Sequence, residues 1–217
     1  LSGSGRGYTS DAISSIYYAV DNGAKVLSNS WGRSGGSPDP EMIAAIEYAR
    51  DRGVVFVAAA GNSGTNNDQS PHWPSNYDLE NVISVAASTR FDELADFSCY
   101  GKTTVHLAAP GHEILSTTPD NQLKTFSGTS MATPHVAGAA ALLLSNNPDL
   151  SGEDIKELLL NNVDAVDALA QTTISGGRLN VGKAIKADKP SWLSLAEPES
   201  NSLGPGESLS LRFSIDA

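Results

Sequence analysis

Apolar positions repeat with the period of a helix in two stretches near the start of the chain. The first predicts an amphipathic helix over residues 11–22, ended by Gly23, with its apolar face formed by Ile13, Ile16, Tyr17 and Val20. The second follows an Asp-Pro pair at 39–40, which predicts a capped helix start, and Gly53 is placed to end it. Its apolar positions are Met42, Ile43, Ile46 and Ala49.

Short apolar runs between and after these helices predict strands. Residues 54–60 are apolar on both faces, which is typical of a parallel strand covered by helices on each side. A short strand is predicted before it at 26–30, and others at 82–86, 105–109 and 114–116. The order strand, helix, strand indicates an α/β fold.

The second half of the chain predicts two helices and then a change of architecture. Residues 130–146 are small or apolar on all sides, which predicts a core helix, and Ser151 with Asp154 forms a capping box for the next one. Beyond residue 186 the pattern changes to strands of an antiparallel sheet. We therefore predict one domain over 1–187, followed by a linker and the first strands of a truncated β-sandwich over 188–217, because a complete sandwich needs roughly 100 residues.

Composition excludes several classes of function. The 217 residues carry a formal net charge of −11, so an acidic surface would repel nucleic acid and anionic membranes. The apolar run 136–144 is too short to span a bilayer. Cys99 is the single cysteine, so the chain has no internal disulfide and no C-x-x-C pair. We expect neither nucleic-acid nor membrane partners, and no metal site can be assigned to particular residues.

The segment G-T-S-M-A-T-P-H-V-A-G at 128–138 places Ser130 in the first turn of the predicted core helix. Free N–H groups and the helix dipole stabilise negative charge there, which favours an alkoxide or a neighbouring oxyanion. A G-T-S triplet alone would more simply be a helix cap. The longer string favours a catalytic serine.

This string resembles the serine motif of the subtilisin-like serine proteases, the subtilases. Three other segments resemble the same family in the same order: N-S-W-G at 29–32, A-A-A-G-N-S-G at 58–64 and L-A-A-P-G at 107–111. The resemblance extends from residue 1 to about 186, the last two thirds of such a catalytic domain. It implies a three-layer α/β fold, with a parallel sheet between helices and its N-terminal part missing, and a serine endopeptidase that works through an acyl-enzyme.

The resemblance also implies roles for individual residues. Ser130 would be the nucleophile, and Asn62 would donate a hydrogen bond to the oxyanion, although an asparagine after a strand can equally cap a turn. His72 would lie at the base of the pocket for the residue before the scissile bond, with an exposed loop histidine as the alternative. Extended peptide substrates would pair with two segments, Gly3-Ser4-Gly5 and Ser30-Trp31-Gly32.

The family's other two triad motifs, Asp-[Thr/Ser]-Gly and His-Gly-Thr-His, do not occur in the sequence. We therefore expect a fragment that needs the N-terminal part of its catalytic domain as a partner and is inactive alone. The residues themselves assign no cofactor, whereas the family resemblance leads us to expect calcium and secretion. The alternatives are a non-catalytic or split subtilase that binds peptides, and an α/β-hydrolase, which requires G-x-S-x-G although residue 132 is alanine.

Overall fold

A computed structural model describes residues 6–188, 193–195 and 213–215. The helices in this part are α1 Thr9–Asp21, α2 Pro40–Arg50, α3 Thr129–Asn146, α4 Gly152–Asn161 and α5 Val181–Ala187, with a 3₁₀ turn at Asp167–Leu169. The strands are β1 Val26–Asn29, β2 Arg33–Ser34, β3 Val55–Ala59, β4 His72–Trp73, β5 Val82–Ser88, β6 Leu107–Pro110, β7 Ile114–Thr118, β8 Gln122–Phe126, β9 Asp164–Ala165, β10 Gly177–Arg178, β11 Leu193–Leu195 and β12 Phe213–Ile215.

The main sheet has six strands in the order β1-β3-β5-β6-β10-β9. All neighbours are parallel except β9, which runs antiparallel to β10. Every residue of β3 and β5 is buried, as predicted for strands covered on both faces. The α/β fold predicted from the sequence is therefore confirmed.

Two apolar cores lie on opposite faces of this sheet, because successive side chains of a strand point to opposite sides. Phe56 and Ala58 pack with α1 and α2 on one face. Val55 and Val57 pack with the helices of the other face, which contribute Ala132, Val136, Leu143, Ile155, Leu159 and Ala184. The three layers are helices, sheet and helices.

The predicted helix ends are confirmed. The Asp39 carboxylate accepts hydrogen bonds from the backbone N–H groups of Glu41 and Met42, at 2.9 and 3.4 Å. Gly53 has a φ of +69° just beyond α2, a conformation that glycine adopts without strain. Both hydrogen bonds of the capping box between Ser151 and Asp154 are present at the start of α4.

Two details differ from the sequence-based expectations. Helix α3 is buried on one side only: its opposite side is exposed, and Leu142 keeps 52% of its surface accessible. The strand predicted at 114–116 is β7, which pairs with β8 in an exposed hairpin and not in the main sheet. A helix that is apolar on all sides does not reveal which side is covered, and a strand pattern does not name its partner.

The strands predicted near the end of the chain are present as β11 and β12, which pair antiparallel. The residues between them lie outside the described part. The boundary at residue 187 and the β-sandwich therefore stay predictions.

Candidate active site

Three elements converge at the carboxyl edge of the main sheet: the ends of β1 and β3, and the start of α3. Ser30 follows β1 directly, and Ser130 is the second residue of α3. The Ser30 Oγ donates to the Ser130 carbonyl at 2.9 Å, and the Ser130 Oγ donates to the Ser30 carbonyl at 3.4 Å. This reciprocal pair fixes the first turn of α3 against the end of an edge strand.

The loop after β6 sets the position at which α3 begins. The Gly128 N–H donates to the Gly111 carbonyl at 2.8 Å. A Cβ at Gly111 would lie 2.8 Å from the Gly128 carbonyl oxygen and 2.5 Å from Ala87 Cβ, so a side chain there would displace the start of the helix. The predicted helix start, with Ser130 in its first turn, is present.

The Asn62 side chain lies against this helix start. Its Oδ1 accepts from the Thr129 backbone N–H at 2.8 Å and from the Thr129 hydroxyl at 2.9 Å. Because a backbone N–H can only donate, the oxygen of the amide must face Thr129, and this fixes the orientation of the amide group. The Nδ2 group is therefore directed away from Thr129.

Two nitrogen atoms converge on the space beside Gly128. The position that a Cβ would take at Gly128 lies 3.5 Å from Asn62 Nδ2 and 3.6 Å from the backbone nitrogen of Ser130. The N–H groups in the first turn of a helix have no partner within the helix, so they can donate to a ligand. A glycine at 128 leaves this space open, and an oxygen atom there would have two donors.

Thr129 links the two halves of the site, a role that the sequence pattern does not predict. It is fully buried, and its Oγ1 donates to Asn62 while accepting from the Gly61 N–H at 3.2 Å. The available signal was its place between Gly128 and Ser130, since a threonine in the first turn of a buried helix needs partners for its hydroxyl.

His72 is buried, with 8% of its surface accessible, so it is not an exposed loop histidine. Its Nδ1 lies 3.3 Å from the Ser75 Oγ. Burial lowers the pKa of His72 below its usual value, an effect that the carbonyl of Ala59 partly offsets. The imidazole is therefore neutral at physiological pH, and it packs between the segments that follow β1 and β3.

The structure places the remaining candidates as follows. Trp31 is half-buried and Gly32 is exposed, and both lie outside any helix or strand, whereas Gly3, Ser4 and Gly5 lie outside the described residues. His135 is exposed and its Nδ1 contacts the Met131 carbonyl at 2.8 Å, away from the Ser130 hydroxyl. Within the described ranges, the Ser30 carbonyl is the hydrogen-bond partner of the Ser130 Oγ, and no histidine reaches it.

His106 has a structural partner. Its Nδ1 accepts from the Ser84 backbone N–H at 2.8 Å, and burial, assisted by the positive charge of Lys156, lowers the pKa of His106 to about 3.

Across the part of the chain that the structure describes, no three His, Cys, Asp or Glu side chains are grouped to hold a metal ion. In the same part, no helix has the length and apolar character needed to cross a membrane.

Comparison with known proteins decides the family. Residues 1–182 match Peptidase_S8, the subtilase family. The chain belongs to the subtilase family. Relatives of this subtilase include thermitase from Thermoactinomyces vulgaris, 40% identical over 186 residues, which are 86% of the chain and 63% of thermitase. Subtilisin-like protease 2 of Plasmodium falciparum (isolate 3D7) is 40% identical over 127 residues, 57% of the chain and 9% of that protein.

Solved structures agree with this assignment. The prenylagaramide maturation protease PagA has a TM-score of 0.74 to this subtilase at 30% identity, over 85% of the chain and 70% of PagA. The parallel sheet between helix layers is thus the subtilase fold, and serine protease function is established at the level of the family. The chain spans less than two thirds of the length of the curated relatives named above.

Proposed function

We propose that this subtilase chain carries the nucleophile and the oxyanion-binding groups of a serine endopeptidase. The observation that carries the proposal is the convergence of Asn62 Nδ2 and the Ser130 nitrogen beside Gly128, next to the Ser130 hydroxyl. Donors fixed in place before the reaction stabilise the charge that develops on a carbonyl oxygen during acyl transfer.

The reaction would proceed through an acyl-enzyme. The Ser130 Oγ forms a bond to the peptide carbonyl carbon, the carbonyl oxygen becomes an oxyanion held by Asn62 Nδ2 and the Ser130 N–H, and the C–N bond then breaks. The serine proton passes to a general base and on to the leaving amine, and water hydrolyses the ester. Extended substrates would pair with Ser30, Trp31 and Gly32, and with Gly3, Ser4 and Gly5.

The general base must come from outside the described residues. The group that contacts the Ser130 Oγ there is the Ser30 carbonyl, and a carbonyl oxygen cannot take the serine proton. The sequence lacks the Asp and His motifs of the family. We therefore propose that the N-terminal part of the same catalytic domain supplies both residues. An extracellular place of action, which the family resemblance implies, belongs to the same proposal and is tested by fractionating cells and medium.

A complementation assay tests the function. The purified chain should show no turnover of a peptide anilide above background, since loss of the catalytic histidine in subtilisin costs roughly 10⁶ in kcat. Adding a segment of a related subtilase with both missing motifs should restore turnover, Ser130→Ala should abolish it, and Asn62→Ala should lower it about 10²–10³-fold, the loss known for this donor in subtilisin. Restored turnover that survives Ser130→Ala would refute the assignment.

The alternative is a non-catalytic or split subtilase that holds extended peptides without cutting them. The hydrogen bond between the Ser130 Oγ and the Ser30 carbonyl favours this alternative, because no group among the described residues activates the hydroxyl. The same assay separates the two functions: peptide binding without turnover in the complemented protein would support the binding module.

A further inference from the structure

A proline lies inside α3, one turn after the candidate nucleophile. In a regular α-helix the carbonyl of residue 130 would accept a hydrogen bond from the backbone N–H of residue 134. Pro134 has no N–H, and a proline ring also crowds the carbonyl four residues before it. The Ser130 carbonyl therefore lacks its usual helical donor, and it needs a partner from elsewhere.

The Ser30 hydroxyl supplies this partner. Its Oγ lies 2.9 Å from the Ser130 carbonyl oxygen, although the two residues are 100 positions apart in the chain. Ser30 directly follows β1, which pairs along its whole length with β3, so the donor is attached to a fixed element. The proline thus replaces a hydrogen bond within the helix by one between the helix and the main sheet.

Ser130 is held on both sides by contacts of this kind. On its N-terminal side, the Thr129 N–H donates to Asn62 Oδ1 at 2.8 Å. On its C-terminal side, its own carbonyl accepts from Ser30. The N–H and the hydroxyl of Ser130 lie between these two contacts. Because Asn62 and Ser30 follow β3 and β1, which are parallel neighbours, two adjacent strands fix the position of this one residue.

We propose that Ser30 is a positioning residue for Ser130: its hydroxyl takes the place of the N–H that Pro134 lacks, and so holds the nucleophile and the Ser130 N–H against the end of β1. The inference rests on the proposed function, because it assigns this role towards a serine that attacks a peptide carbonyl. It concerns the Ser30 side chain, and the proposed pairing of the 30–32 backbone with substrates is a separate matter.

The hydrogen bond can be observed without catalysis. Of the two methionines, Met131 follows Ser130 and Met42 follows a glutamate. Labelling the chain with carbonyl-¹³C serine and ¹⁵N methionine therefore gives a single linked NMR signal, which joins the Ser130 carbonyl to the Met131 N–H. With the unlabelled complementing segment bound, Ser30→Ala should move this carbonyl signal upfield, because a hydrogen bond deshields a carbonyl carbon. Ser30→Thr, which keeps the hydroxyl, should move it much less.

Turnover of a peptide anilide tests the positioning role. Ser30→Ala should lower kcat, measured per mole of folded complex, by about 10–100-fold and leave KM within about twofold, since a small misplacement of a reacting group has effects of this size. Ser30→Thr should recover most of kcat. Pro134→Ala gives the Ser130 carbonyl a helical donor, so Ser30→Ala should cost much less kcat in that background. Such non-additivity is expected only for residues that share a partner.

The matched control is Ser15→Ala, which removes a hydroxyl that donates to another helix carbonyl, that of Asp11, at 2.7 Å. It should change neither the Ser130 carbonyl signal nor kcat. If Ser30→Ala does not fold, as judged by circular dichroism, Ser30→Cys takes its place, because a thiol is a weaker donor.

Two results would overturn the proposal: a Ser130 carbonyl signal that stays in place in the Ser30 variant, or an equal loss of kcat in the Pro134 and Pro134→Ala backgrounds. Absence of turnover in the complemented chain that keeps Ser30 would instead refute the proposed catalysis. The carbonyl signal would then decide by itself whether Ser30 replaces the missing N–H of Pro134.

Discussion

At the scale of single residues, Thr129 determines which atom of the Asn62 amide faces the space beside Gly128. Its N–H and hydroxyl both donate to Asn62 Oδ1, and its Oγ1 also accepts from the Gly61 N–H. Thr129→Val keeps the shape but removes the hydroxyl, which leaves the buried Gly61 N–H unpaired. We expect a loss of roughly 1–3 kcal/mol in the free energy of unfolding, measured by denaturant titration, and slower turnover after complementation.

Thr129→Ser is the matched control, because it keeps the hydroxyl and should retain most of both properties. Turnover that is equal in the valine and serine variants would show that Thr129 does not orient Asn62.

His106 should make the stability of the chain depend on pH. Its pKa is lowered to about 3 in the folded protein, against about 6.5 when unfolded, so between these values the unfolded chain binds a proton that the folded chain does not. The contribution is fully present above pH 6.5 and is lost as the pH falls towards 3. We expect up to about 1.4 kcal/mol per pH unit in this window, measured by denaturant titration at several pH values.

His106→Asn should flatten this slope, since its amide oxygen can still accept from the Ser84 N–H. His135→Asn, at an exposed site, should leave the slope as it is. A pH dependence that is the same in all three proteins would contradict the assignment.

Sequence patterns predicted the positions of Ser130 and Asn62 at the ends of elements, but not the residues that hold them. Ser130 was predicted in the first turn of a helix because short-range order along the chain carries that signal. The contacts of Thr129 were not predicted, and the sequence left His72 open between a pocket base and an exposed loop, since both depend on segments that are far apart in the sequence. Spacing along the chain contains no information on which distant segments enclose a side chain.

At the scale of elements, the start of α4 depends on its capping box. The Ser151 Oγ accepts from the Asp154 N–H at 3.1 Å, and Asp154 Oδ2 accepts from the Ser151 N–H at 2.8 Å. Ser151→Ala removes one of these bonds, and we expect it to cost about 1 kcal/mol of unfolding free energy, measured by denaturant titration. Ser151→Thr keeps the hydroxyl and should be nearly neutral, and an alanine variant as stable as the threonine variant would contradict the role of the cap.

The helices and central strands could be predicted because each depends on a local pattern: a cap, a period of 3.6 or a run that is apolar on both faces. The exposed side of α3 and the separate hairpin of β7 and β8 could not. Both depend on what packs against an element, and an alanine-rich helix offers similar side chains on every face. The physical reason is that burial is decided by tertiary neighbours.

At the scale of the whole molecule, two apolar or unpaired surfaces adjoin in the described part of the chain. Strand β1 is an edge of the main sheet, and α3 packs on it while exposing Leu142, at 52% accessibility, on its other side. An open parallel edge can pair with another chain, and each apolar side chain left in water forgoes roughly 1.5–3 kcal/mol of burial energy. Together these surfaces favour association.

We therefore expect the isolated chain to self-associate or aggregate at micromolar concentration, and to become monodisperse when the complementing segment covers β1 and α3. Light scattering coupled to size-exclusion chromatography measures this. Leu142→Gln should reduce association, whereas Leu115→Gln, at a site on the β7–β8 hairpin with 62% of its surface accessible, should not. The loss of burial energy at several exposed apolar side chains can equal the whole net stability of a domain, about 5–15 kcal/mol. A monodisperse monomer with a cooperative melt above about 50 °C would therefore contradict the prediction, because it would show that the chain is stable without covering these surfaces.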